Sequence, residues 1–97
     1  MSTSRILVVD DELSMRQYLE VLLRRRGHEV VTAAGVAEAR ARLDEQEVDL
    51  VVSDMRLGHE SGLQVLKAAR DQASPPEVIL ITAYGTPAAA VEAMREG

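Results

Sequence analysis

The sequence contains no cysteine, tryptophan or phenylalanine, one lysine (Lys67), and two tyrosines, Tyr18 and Tyr84. Without cysteine there is no disulfide framework, no thiolate-bound zinc and no thiol nucleophile. Without phenylalanine or tryptophan, the core must be built from aliphatic side chains. No apolar run approaches the ~20 residues needed to span a membrane as a helix. Met1-Ser2-Thr3-Ser4 has no basic-then-apolar character, so no leader is expected and a cytoplasmic location is. Basic residues are the minority, 11 Lys+Arg against 16 Asp+Glu with a formal charge of −5, which argues against direct contact with a nucleic-acid backbone. At 97 residues the chain has room for one domain, 1–97.

Two kinds of segment alternate. Ile6-Leu7-Val8-Val9, Glu29-Val30-Val31-Thr32, Leu50-Val51-Val52 and Val78-Ile79-Leu80-Ile81 are short, mostly apolar and rich in β-branched residues. Unbroken apolar runs of this length predict strands covered on both faces. Between them, Met15, Leu19, Leu22 and Leu23 recur at helical spacing, with Arg16, Gln17, Glu20 and Arg24 on the other side. Val36, Ala39 and Leu43 predict a second helix, and Leu63 with Leu66 a third that ends before Ser74-Pro75-Pro76. Pro87, Ala90, Val91 and Met94 predict a fourth, stopped at Gly97. Met15 and Met94 are expected to fill core space. The order βαβαβαβα implies an α/β fold with a parallel sheet and right-handed crossovers. Four strands alone leave the apolar Val78–Ile81 run at an edge, so a fifth strand is expected, supplied by further chain or by a partner.

In an open parallel sheet every strand ends on the same edge, and ligands bind there. That edge collects Asp10, Asp11 and Glu12 after the first strand, Asp54 after the third and Thr82 after the fourth. Each has an ordinary explanation when taken alone: Asp11 as a helix cap, Asp54 as an Asx turn, Thr82 as a strand-end hydroxyl. Together they form a cluster of like charges that a hard cation would relieve, and Mg²⁺ suits one or two carboxylates plus phosphate oxygens. A carboxylate beside Mg²⁺ is also a competent nucleophile toward phosphorus, with Thr82 as a hydroxyl donor and small Ala83 letting backbone amides approach.

Val8-Val9-Asp10-Asp11-Glu12, Val51-Val52-Ser53-Asp54-Met55-Arg56-Leu57 with Gly62, and Ile81-Thr82-Ala83-Tyr84-Gly85 resemble the receiver domain of bacterial two-component response regulators. The Thr-Ala-Tyr-Gly and Asp-Met-Arg-Leu runs are similar to receivers of sigma-54-dependent, NtrC-like activators. The resemblance implies a flavodoxin-like doubly wound sheet of order 2-1-3-4-5, cut short here before the fifth strand and helix. It implies Asp54 as phosphoacceptor and Mg²⁺, or Mn²⁺ in its place, held by Asp11, Asp54 and the Arg56 carbonyl, with Asp10 acting through water. The phosphoryl group would meet Thr82 and the backbone amides of Met55 and Ala83, and Thr82 with Tyr84 would form the switch. A sensor histidine kinase is the implied donor, with homodimerisation and a transcription-regulatory output domain as consequences. The domain would be a signalling module rather than an enzyme, catalysing its own phosphotransfer and autodephosphorylation.

Two departures stand out. Gly58 occupies a position where the family usually has proline, and added backbone freedom predicts a looser loop. The family lysine after the fifth strand has no counterpart here, and Lys67 belongs to the third helix. Other readings follow from the same residues. A Mg²⁺-dependent aspartyl-phosphate phosphatase would want an acid where Arg56 stands. A flavin binder would want a Gly- and hydroxyl-rich loop where Asp10-Asp11-Glu12 stands. A binding-only pseudo-receiver would need no metal. His28 and His59 are expected to face solvent, and Arg24-Arg25-Arg26 to complement the dipole at a helix end.

Overall fold

The computed structural model describes residues 4–81. Each β-branched run folds as a strand: β1 (Arg5–Val9), β2 (Glu29–Ala33) and β3 (Leu50–Asp54). A two-residue pair, β4 (Arg56–Leu57) and β5 (Glu60–Ser61), follows β3, and β6 (Glu77–Ile81) is the last. The helices are α1 (Leu13–Arg25), α2 (Val36–Glu45) and α3 (Gly62–Arg70). The long strands form one parallel sheet of order β2-β1-β3-β6, matching the expected order 2-1-3-4 because β6 is the fourth long strand. Register aligns Ile6 with Val30 and Leu50, and Val8 with Thr32 and Val52. The expected helix over Thr86–Glu96, its Met94, and Thr82, Ala83 and Tyr84 lie outside the described residues.

The two faces of the sheet are covered unequally. On one face Leu7, Val9, Ala33 and Val51 pack with Val36, Ala39 and Leu43 of α2 and Val65, Ala68 and Ala69 of α3. On the other, Ile6, Val8, Val30 and Val52 meet Leu19 and Leu23 of α1. Among the described residues α1 is the only helix on that second face, so its stripe is used on one side only. Met15 and Leu22 remain 44% and 36% exposed, and Met15 is not the core filler its spacing suggested. Ile79 and Ile81 of β6 point to the same face and are 51% and 44% exposed, so this strand is not buried on both sides.

Local chemistry fixes the ends of the helices. α1 closes in a Schellman motif, in which the Gly27 and His28 amides donate to the Arg24 and Leu23 carbonyls at 3.0 and 3.3 Å. Arg24 and Arg25 occupy its last turn as the dipole argument predicts. α3 begins with a capping box: Ser61 Oγ accepts from the Leu63 amide at 3.1 Å, and Gln64 Oε1 accepts from the Ser61 amide at 2.9 Å. His59 is exposed, but His28 is half-buried and its Nδ1 has no hydrogen-bond partner.

Candidate functional site

β1 and β3 are hydrogen-bonded neighbours with Val9 opposite Ser53. The next residue on each strand therefore emerges at the same rim, and those residues are Asp10 and Asp54. Asp11 follows at the start of the turn into α1. One carboxylate oxygen from each of Asp10, Asp11 and Asp54 lies within 4.8 Å of the others. Asp10 is buried at 4% exposure, Asp54 is half-buried and Asp11 is exposed.

Two Asx turns aim this cluster. Asp10 Oδ1 accepts from the Glu12 amide at 2.9 Å, and Asp54 Oδ1 accepts from the Arg56 amide at 3.1 Å. The turn at Asp54 is thus real and coexists with its place in the cluster. Asp11 does not cap α1; Glu12 occupies the N-cap position, where its Oε1 accepts from the Ser14 hydroxyl at 3.2 Å but from no backbone amide of the first turn. Arg16 reaches back from α1 to donate to the Asp10 carbonyl at 2.7 Å. Burial pushes the Asp10 carboxyl above its ordinary value, and the Asp54, Asp11 and Glu12 charges push the same way against the Glu12 amide. A group of three hard oxygen donors, one of them held against its own repulsion, fits a divalent cation such as Mg²⁺.

The segment after Asp54 is folded more tightly than its sequence suggests. Gly58 has φ +65° and, with His59, forms the two-residue turn joining antiparallel β4 and β5. A positive φ at the first central position alone fits a type II′ turn, which proline, locked near −65°, cannot make. The glycine in place of the family proline therefore permits a hairpin turn here. Gly62 is needed for a different reason. A Cβ there would lie 2.5 Å from the Asp54 carbonyl and 3.1 Å from Met55 Cα. Its amide donates to the Met55 carbonyl at 2.8 Å, drawing the start of α3 against the end of β3.

One expectation changes. The Met55 amide, assigned above to the phosphoryl group, donates to the Ile81 carbonyl at 2.8 Å and so continues the β3–β6 ladder. The amide directed at the Asp54 carboxylate is that of Arg56. The two-residue offset of an Asx turn is the signal that points to it. Sequence reasoning also passed over Glu60, whose Oε1 accepts from the Val36 amide at 3.1 Å across 24 residues of chain. No local pattern signals that contact.

A parallel α/β sheet with a carboxylate cluster at its carboxyl edge defines a doubly wound module with an acidic rim that could hold a cation. The family model described as "Response regulator receiver domain" matches residues 6–97. The chain belongs to that family.

Among its relatives is the alginate biosynthesis transcriptional regulatory protein AlgB of Pseudomonas aeruginosa, 40% identical over 93 residues, which are 96% of this chain and 21% of AlgB. The chain thus spans about a fifth of the length of that relative. Among solved structures, a response regulator of Burkholderia pseudomallei with a phosphorylated aspartic acid and a calcium ion superposes with TM-score 0.88 at 28% identity, over 97% of this chain and 55% of that one. The beryllofluoride-activated NtrC4 receiver domain dimer gives TM-score 0.86 at 30% identity, over 96% of this chain and 77% of that one.

Proposed function

We propose that Asp54 accepts a phosphoryl group from a sensor histidine kinase in a Mg²⁺-dependent reaction. The observation that carries this reading is the meeting of Asp10, Asp11 and Asp54 within 4.8 Å at the rim of a receiver-family sheet. The phosphorylated aspartate of the Burkholderia pseudomallei relative supports it. An Asp54 carboxylate oxygen attacks phosphorus, the new P–O bond forms, and the bond to the donor nitrogen breaks with its electron pair returning to the imidazole. Asp10, Asp11, Asp54 and the Arg56 carbonyl would hold Mg²⁺, which when bound neutralises charge on the transferred oxygens. The Arg56 amide supplies a neutral donor beside the acceptor. The Thr82 hydroxyl and the Ala83 amide complete the reading as hydrogen-bond donors to the transferred phosphoryl group, and Thr82 with Tyr84 as the switch. The output is a transcription-regulatory domain of the sigma-54-dependent class, reached through dimerisation in the cytoplasm. Transcription regulation carries over from the printed name of AlgB and dimerisation from the activated NtrC4 dimer, while the sigma-54 class and the cytoplasm rest on the sequence resemblance.

The test is labelling by acetyl phosphate with Mg²⁺, followed as a phosphoryl-sized mass increase that is lost in acid or hydroxylamine. Asp54→Asn abolishes it and chelation of the metal suppresses it. Full labelling of Asp54→Asn at another residue would move the acceptor elsewhere.

A further inference from the structure

We infer that Glu60 is a positioning residue for the phosphoacceptor site, acting by clamping the β4–β5 hairpin to the N-terminus of α2. The inference rests on the phosphoacceptor reading of Asp54 and adds a residue that reading does not contain.

α2 begins without a cap of its own. Gly35 stands at its N-cap position and offers no side-chain acceptor, so the first amides need one from elsewhere. Glu60 provides it from the far side of the site, bringing a negative charge to the positive end of the helix dipole. Gly35 also makes the room: a Cβ there would sit 2.9 Å from Glu60 Oε1.

The hairpin that carries Glu60 is fastened at three points. Leu57, paired with Glu60 across the turn, is buried in the same cluster as Val36. Ser61, paired with Arg56, caps α3. Glu60 supplies the third attachment, on the α2 side. The residue these attachments immobilise is Arg56, whose amide holds Asp54 Oδ1 at 3.1 Å. Without Glu60 the hairpin keeps the packing of Leu57 and the cap at Ser61 but loses its hydrogen bond to α2, and the Arg56 backbone is held less firmly against the acceptor.

Isothermal titration of Mg²⁺ and the rate of labelling by acetyl phosphate, measured with Tm on the same samples, test the clamp. Glu60→Ala is expected to weaken Mg²⁺ binding about tenfold, the scale seen when an outer-shell partner of a metal site is removed, and to slow labelling. Gly35→Ala puts a methyl 2.9 Å from Glu60 Oε1, which the flexible carboxylate can yield to, and is expected to give a smaller defect of the same kind. Glu60→Gln, which keeps an acceptor oxygen, retains most of the wild-type affinity. Glu60→Ala combined with Gly35→Ala is no worse than Glu60→Ala alone, because the contact the methyl disturbs is already gone. A role confined to stability would lower Tm and leave Mg²⁺ affinity unchanged, and that result overturns the inference. Should Glu60→Ala fail to fold, Glu60→Asp, whose carboxylate is one methylene short of the Val36 amide, decides by the same criterion. If the wild-type chain neither binds Mg²⁺ nor is labelled, the phosphoacceptor reading itself fails. If the wild type does both and the variants match it, only the clamp falls.

Discussion

The two ends of the parallel sheet are made from the same backbone but treat charge in opposite ways. At the amino end, signs alternate. Arg5 pairs with Glu29 across β1 and β2 at 3.0 Å, its side chain reaches the Glu47 carbonyl at 3.2 Å, and its amide donates to Asp49 Oδ2 at 2.8 Å. Asp49 in turn donates its own amide to the Arg5 carbonyl at 2.9 Å. Arg5 at this end thus ties β1 to β2 and to the segment leading into β3. At the carboxyl end, Asp10, Asp11 and Asp54 carry the same sign within 4.8 Å, and backbone amides hold two of them in place. Such an arrangement works against stability when empty. An acidic cluster built at that cost is what a cation-binding site requires, so the contrast separates an end that holds the fold from an end that acts.

The strongest way to break this contrast is Gly62→Ala. The added methyl would be placed 2.5 Å from the backbone of the acceptor itself, where no flexible side chain can yield. Overpacking at such a point costs about 3 kcal/mol, the upper end of the usual range, or a fall in Tm of more than 10 °C by the ~4–8 °C per kcal/mol of small domains. Thermal unfolding measures the stability, and acetyl phosphate labelling falls with it because the Asp54 backbone must move.

Asp10→Asn sharpens the contrast by removing one of the like charges while keeping an oxygen for the Glu12 amide. Burial and repulsion raise the folded-state pKa of Asp10 above its unfolded value. Between those two values the folded chain holds the extra proton, so stability falls as pH rises, and above the folded value the loss is complete. The metal-free variant should therefore melt higher than wild type at neutral pH, with the difference closing as pH drops toward the ordinary carboxylate range. Mg²⁺ should reverse the order, stabilising wild type much more than the variant, whose affinity drops at least about tenfold. Melting curves against pH, with and without Mg²⁺, show whether both signs hold.

How far the sequence revealed this design differs from residue to residue. The strands and the rim position of Asp10, Asp11 and Asp54 were legible because continuous β-branched runs separated by helical stripes leave few alternatives, whereas the strand order was implied only by the resemblance to receiver domains. Burial was less so. Met15 and Leu22 have the spacing of core residues, but spacing reports a helix face and not whether a second element covers it. β4 and β5 were missed because two-residue strands have no periodicity, and the turn glycine read as freedom when its positive φ was closing a hairpin. The Met55 amide was misplaced because the β3–β6 ladder runs one residue further than the apolar run. Glu60 was invisible for the plainest reason: its partner is brought near only by the fold.

The smallest effect is expected at the amino end, where Arg5→Ala removes the ion pair with Glu29 and the bond to the Glu47 carbonyl. The two side chains of that pair are 33% and 59% exposed, and solvent-exposed pairs contribute roughly 0–1 kcal/mol. The backbone bonds between Arg5 and Asp49 survive the substitution, since neither uses the Arg5 side chain. A loss of about 0.5 kcal/mol, shrinking further in high salt, is therefore expected from chemical denaturation. Mg²⁺ affinity and labelling should stay at wild-type values, because nothing at the carboxyl rim depends on this charge. A change in Mg²⁺ affinity in Arg5→Ala would mean that the two ends are coupled through β1, and the division between a holding end and an acting end would have to be given up.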